Sequence, residues 1–322
     1  MKSVTRFMRR ALYGSATILM YHRICELDND PFQLCVAPEN FERQLEFLCK
    51  HKKAVSVAQL LRMIRNKERL TDVVAITFDD GYLDNYEVAL PLLERYQIPA
   101  TFFVVTGMIN SNEEFWWDQL ERIFFAKSEL PDNLILNISD VTMEWKLTQE
   151  PGITRNVARR TVFENIYPRI AELSPMERAI VMFELRNWSG ITEIARDTHQ
   201  IMGYRELIKI DQKGPFDVCA HTVSHPVLTE LGKSDLYSEL VDSKESLNKI
   251  FGKGRLSAMS FPHGKFNRAT LQAVKDVGYE FCCTSIQDRA YAYTSSFLLP
   301  RMVVPNCDIT NFRNWYCQRN RQ

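Results

Sequence analysis

The sequence predicts an α/β fold: a parallel sheet, either covered on both faces or rolled into a barrel, interrupted by a mostly helical insertion. Two observations predict it. Apolar β-forming runs alternate with stretches whose apolar residues have helical spacing, which is the rhythm of βαβ units. That rhythm changes near residue 111 and returns after Pro215. Residues 1–110 and 206–322 are therefore assigned to one barrel-like domain and 111–205 to the insertion.

Each element has its own signal. Ala16–Tyr21 is the first strand, and Phe41, Leu45 and Leu48 mark the helix after it. Ser56 starts a second helix with apolar positions at Val57, Leu60, Leu61 and Ile64. Val73–Phe78 is a core strand. Asn85–Tyr96 reads as a helix, with Pro91 in its first turns, where proline is tolerated. Ala100–Val105 is the next strand. Within the insertion, Phe115–Phe125 is amphipathic, 134–147 is β-like, and two helical runs follow. The second opens Ser174-Pro175-Met176-Glu177, an N-cap with proline at N1 and glutamate at N3. Beyond it, Phe216–Ala220, Leu256–Phe261, Tyr279–Thr284 and Leu298–Val304 are strands, and Ser234–Phe251 is a helix.

Bulk properties exclude several classes. The 322 residues suit one large α/β barrel, and 45% hydrophobic content is enough for a sizeable core. Forty basic and forty acidic residues cancel, so no electrostatic nucleic-acid surface is expected. No apolar run reaches the ~18 residues of a membrane span. The basic start, MKSVTRFMRR, meets only the short apolar stretch Ala16–Tyr21, with no small-residue cleavage site after it. A cytoplasmic chain with a short basic N-terminal helix is expected, in which Arg9 and Arg10 offer at most peripheral contact with an anionic membrane. Eight cysteines include no CxxC pair, and Cys282-Cys283 sit in an apolar stretch, as reduced thiols used as small hydrophobes do.

The chemistry starts with Asp79-Asp80, directly after the strand Val73–Phe78. Adjacent carboxylates repel unless a cation or a proton lies between them. His221 and His225 follow another strand, four residues apart. On a tight loop two such imidazoles converge on a metal, and one aspartate oxygen completes a set that leaves positions open for water and substrate. The same histidines also read as ordinary polar residues at a strand end.

Thr77-Phe78-Asp79-Asp80-Gly81 and His221-Thr222-Val223-Ser224-His225-Pro226 resemble the first two motifs, TFDDG and H(S/T)xxHP, of the NodB-homology polysaccharide deacetylases, carbohydrate esterase family 4. The motifs come in the family's order, each after a predicted strand. The resemblance implies a distorted (β/α) barrel with its site at the C-terminal strand ends. It implies a divalent metal, commonly zinc, on Asp80, His221 and His225, with Asp79 as general base. The family's general acid is a histidine ending an LxH motif, usually near the C-terminus. Here the match is Leu19-Met20-Tyr21-His22, as in members that carry this strand at the front, so His22 takes that role. The third motif, RxPxG, is partial: Ser260-Phe261-Pro262-His263-Gly264 places Ser260 where the base-orienting arginine belongs. Arg301 is the candidate to supply that guanidinium from elsewhere, and His263 offers a backbone N–H to an oxyanion or a ring to the site. Trp116 and Trp117 would stack on sugar faces, or pack a core. The implied activity is removal of an N-acetyl group from an amino sugar of a polysaccharide or glycan intermediate. Removal of a formyl or O-acyl group from a related, possibly lipid-linked sugar is the alternative within the chemistry. A carbohydrate-binding homologue without activity is the alternative outside it.

Overall fold

In the computed structural model, residues 12–139, 141–147 and 154–318 are described. The expected basic N-terminal helix with Arg9 and Arg10 lies outside them. Six strands run parallel in spatial order: β1 (Ser15–Tyr21), β2 (Val73–Phe78), β3 (Ala100–Val104), β4 (Phe216–Ala220), β5 (Ala258–Ser260) and β6 (Phe281–Cys283). Leu299 then bridges Cys283 of β6, while β7 (Met302–Val303) pairs in parallel with Leu19 and Met20 of β1. This short segment closes the curled sheet into a distorted (β/α) barrel. Its seam is shorter than the expected strand over Leu298–Val304, because the Arg301 N–H turns away to the Ile286 carbonyl.

Every residue of β2 and β3 is buried, as a sheet covered on both sides requires. Alternation sorts the side chains. Ala16, Ile18, Ala75, Phe103, Cys219, Ala258, Phe281 and Leu299 pack together on one face. Leu19, Tyr21, Val74, Ile76, Phe78 and Phe102 lie on the other with Phe41, Leu45 and Leu48 of the helix Pro38–His51. The helix Val57–Arg65 begins at Ser56, whose hydroxyl accepts the Gln59 N–H while the Gln59 side chain returns to the Ser56 N–H.

Between β3 and β4 the chain builds a second core. Trp116, Trp117, Leu120, Phe124, Phe163, Ile166, Met182 and Leu185 meet there, contributed by the helices Trp116–Glu121, Arg155–Glu172 and Pro175–Ser189 and, for Phe124, by the π-helical turn Arg122–Ala126. Ser174 and Glu177 form the capping box read from the sequence. The β-like patch is an antiparallel hairpin, Asn133–Ile138 with Val141–Lys146, whose Leu134, Leu136 and Ile138 face this core. Tyr82 and Val105 from the barrel belong to the same cluster, so the two cores share a wall. Among the described residues no helix is long and apolar enough to cross a membrane.

One glycine joins the barrel to the loop after β4. The Gly107 N–H donates to the Val223 carbonyl at 2.9 Å, and a Cβ on Gly107 would stand 2.6 Å from that same oxygen. Gly107→Ala is expected to cost about 1–3 kcal/mol by overpacking, read as a lower midpoint in urea unfolding.

Candidate active site

At the C-terminal strand ends lies a pocket of about 230 Å³, lined by His22, Asp79, Asp80, His221, His225 and His263 with Phe32, Leu34, Trp117, Tyr167, Phe261 and Ser285. Alternation from Val73, Ala75 and Thr77 sends Asp79 to the barrel's inner side. Asp80 should then point the opposite way. It does not, because its backbone is left-handed, with φ of 74°, and this turn brings the second carboxylate to the same pocket.

Arg301 reaches Asp79 from the seam. Its two terminal nitrogens donate to Asp79 Oδ1 at 2.6 Å and Oδ2 at 2.7 Å, while Nε donates to the Thr284 carbonyl. Ser260, standing where the motif arginine was expected, donates its hydroxyl to Asp79 Oδ2 at 3.0 Å and accepts from Arg301 at 3.0 Å. The guanidinium that the third motif lacks is thus present, brought from the seam segment just before β7. Burial opposes charge on Asp79, but the Arg301 charge beside it overrides burial and holds the carboxyl well below the usual carboxylate range.

His221 donates Nδ1–H to the Ser260 carbonyl at 2.9 Å. A carbonyl only accepts, so this tautomer leaves Nε2 with a free lone pair. That Nε2 and His225 Nε2 each lie 3.6 Å from Asp80 Oδ1, too far for a hydrogen bond. Ligands of a tetrahedral zinc at about 2.0–2.2 Å from the ion lie roughly 3.3–3.6 Å apart. Both histidine–Asp80 pairs stand at that spacing, and all three buried ligand atoms lie within 4.8 Å of one another. Their ionisation points the same way. Burial lowers His221, and burial with the charges of His263 and His221 lowers His225, so both imidazoles are neutral, as ligation requires. Burial and then the Asp79 charge push Asp80 upward, a penalty that a cation reverses. The donor set therefore fits a divalent metal.

The loop that carries the histidines is held from outside. Glu239 on the helix Lys233–Phe251 accepts from the Val223 and Ser224 N–H groups at 2.8 and 3.0 Å and from the Ser224 hydroxyl at 2.6 Å. Arg178, from the second core, donates to the Ser224 carbonyl at 2.9 Å. Nothing in the motifs announced Glu239 or Arg178. The readable signal for Glu239 is a carboxylate on an apolar helix face, between Leu236 and Leu240.

His22 lines the pocket at the end of β1, its carbonyl bound by Asn85 Nδ2 at 2.8 Å. Burial lowers its pKa to about 4, against the opposing pull of Asp79. His263 stands in the left-handed region, φ 54°, with its ring 4.6 Å from that of His225. Burial and the His221 charge lower it to about 4. The two tryptophans part company. Trp117 forms pocket wall, its ring 4.8 Å from His225 and its Nε1 donating to the Tyr82 hydroxyl at 2.8 Å. Trp116 is a correction to the sugar-stacking expectation: it is not in the pocket lining but packs behind it, stacked on Tyr167 at 5.2 Å. Phe32 and Tyr167 were not read from the sequence.

Comparison with known proteins places the chain by family and by fold. A family model described as polysaccharide deacetylase matches residues 66–129 and 185–282. The putative polysaccharide deacetylase YxkH of Bacillus subtilis (strain 168) is 30% identical over 126 residues, 37% of this chain and 44% of that protein. The poly-beta-1,6-N-acetyl-D-glucosamine N-deacetylase of Staphylococcus aureus (strain MSSA476) is 32% identical over 122 residues, 34% of this chain and 42% of that protein. These matches span less than half the length of either relative. In fold, the Streptococcus pyogenes deacetylase PplD is similar over 93% of this chain and 97% of its own, with TM-score 0.61 and 20% identity. IcaB from Ammonifex degensii is similar over 95% of this chain and 97% of its own, with TM-score 0.59 and 13% identity.

Two adjacent buried carboxylates carry a measurable cost without a cation. Asp80→Asn is expected to stabilise the metal-free protein by about 1–3 kcal/mol, and any rise in thermal midpoint that zinc gives the wild type is expected to be lost in the variant. Thermal unfolding with and without zinc measures both.

Proposed function

The chain belongs to the polysaccharide deacetylase family, and from that premise we propose that it is a metal-dependent hydrolase that removes an N-acetyl group from an amino sugar of a polysaccharide or glycan biosynthetic intermediate. One observation carries the proposal: Asp80, His221 and His225 turn three unpaired ligand atoms toward one point in a pocket that also holds Asp79 and His22. A divalent cation, zinc in the first instance, would there acidify a water and polarise an acyl oxygen.

The chain's own groups then move one proton in a closed cycle. At neutral pH Asp79 is a carboxylate and His22 a neutral imidazole. Asp79 accepts the proton of the attacking water as the water oxygen bonds to the amide carbon. With Arg301 on both its oxygens, Asp79 is the weaker base of the two and gives the proton up to His22. His22 passes it to the nitrogen as the C–N bond breaks, leaving the amine and acetic acid, whose own proton goes to the amine or to solvent as acetate forms. Phe32, Trp117 and Tyr167 supply apolar faces suited to a sugar ring. The name of the S. aureus relative supports an N-acetylglucosamine polymer as the first substrate to try. Cytoplasmic action is part of the proposal, and eight thiols with no disulfide among them support it.

Acetate release from N-acetylglucosamine oligomers tests the reading. Chelated protein is expected to release none, and added zinc or another divalent ion to restore release; activity that survives complete metal removal would sink the proposal. His22→Ala is expected to bind metal as the wild type does while kcat falls by about 10²–10⁴, measured by metal analysis beside steady-state kinetics.

A further inference from the structure

The second core sends one polar group into the pocket. Tyr167, on the helix Arg155–Glu172, lines it together with Asp79, Asp80 and the histidines. Its ring is clamped, stacked on Trp116 at 5.2 Å and packed on Phe32 at 4.8 Å and Phe163 at 6.1 Å. Those contacts fix where the phenol stands without using its hydroxyl. The phenols of Tyr21, Tyr82 and Tyr279 are hydrogen-bonded, to Gln44, Asp118 and the Leu240 carbonyl, while the half-buried Tyr167 keeps its hydroxyl toward the pocket. Tyr167 has no hydrogen-bond partner for its hydroxyl among the described residues. Burial, and then the charge of Asp80, raises its ionisation to about 12, so the group keeps its proton and remains a donor.

A rigidly held donor without a partner, facing an acyl-transfer site, has an evident use. We infer that Tyr167 is a catalytic residue whose O–H donates a hydrogen bond to the acyl oxygen of the substrate as that atom gains negative charge. The inference rests on the deacetylase reading. It gives the insertion a part in the chemistry: the barrel supplies the base, the acid and the ligands, and the second core supplies an oxyanion donor. Trp116, displaced from the pocket wall, acquires a purpose as the platform that sets the angle of the phenol.

Tyr167→Phe keeps the ring and removes the donor. The expected result is a fall in kcat of about 10²-fold, with KM for N-acetylglucosamine oligomers, thermal midpoint and zinc content unchanged. An unchanged kcat overturns the assignment. So does a raised KM with kcat retained, which would make Tyr167 a ground-state sugar contact. A second arm does not need turnover: calorimetric binding of acetohydroxamate to the zinc-loaded protein. Tyr167→Phe is expected to weaken it roughly ten- to a hundredfold, the worth of a hydrogen bond to a charged acceptor, and equal affinity counts against the donor. A wild type that releases no acetate, paired with a variant that loses hydroxamate affinity, would remove the deacetylase reading and leave the donor standing.

Discussion

Everything at this site depends on the ion pair between Asp79 and Arg301. Both side chains are buried, and two parallel hydrogen bonds join them. Removing two charges from water is costly, and the mutual attraction repays it only when the remaining donors and acceptors are satisfied. Here they are: Thr77, Ser260 and the Thr284 carbonyl take up the rest of the guanidinium. The pair settles two problems together. It brings the Leu299–Val303 segment in from the edge, closing the barrel between β6 and β1. It also fixes Asp79 as an anion, so the like charge of its neighbour has to be met by something other than a proton on Asp79.

What meets it is geometry held in strained backbone. Asp80, Thr222, His225 and His263 all have positive φ, between 53° and 74°; three of them line the pocket and Thr222 follows His221, which also does. For residues with a Cβ such conformations cost on the order of 1–3 kcal/mol each. They persist because the surroundings over-determine them. Glu239 pins the Val223 and Ser224 amides, the Thr222 hydroxyl accepts the His225 N–H at 3.1 Å, and Gly107 leaves room for the Val223 carbonyl. The return is a set of ligand atoms aimed inward that regular strand and helix geometry would have sent to different faces.

This explains how far the sequence could be read. Local signals carried well: Val73–Phe78 is a strand over the residues expected, Ser56 and Ser174 cap the helices they announce, and the DD and HxxxH pairs lie where a contiguous motif puts them. Arg301 was legible only as a question, because Ser260 occupies the motif position and nothing local links residue 301 to residue 79. The seam misled for the same reason, since Leu298–Val304 has strand composition while its backbone bonds are shared among β6, β1 and the Ile286 carbonyl. Trp116 and Trp117 are alike in sequence, and only the packing of Tyr167 against one of them separates wall from support. Tyr167 itself carries no signal, being one aromatic among many on an insertion helix.

The insertion is therefore more than an appendage to the barrel. Trp117 packs on His225, Arg178 holds the Ser224 carbonyl, and Tyr167 lines the pocket together with Asp80. Three separate segments of the second core thus touch the ligand loop or the pocket, and none of them lies in a motif. The candidate metal ligands and the candidate base and acid come instead from strand ends and short turns of the barrel, which hold atoms at fixed distances. Two residues of the pocket wall, Trp117 and Tyr167, stand on helices of the second core rather than on the sheet. The pocket thus draws on both cores, which meet along the shared wall of Tyr82, Val105 and Trp117.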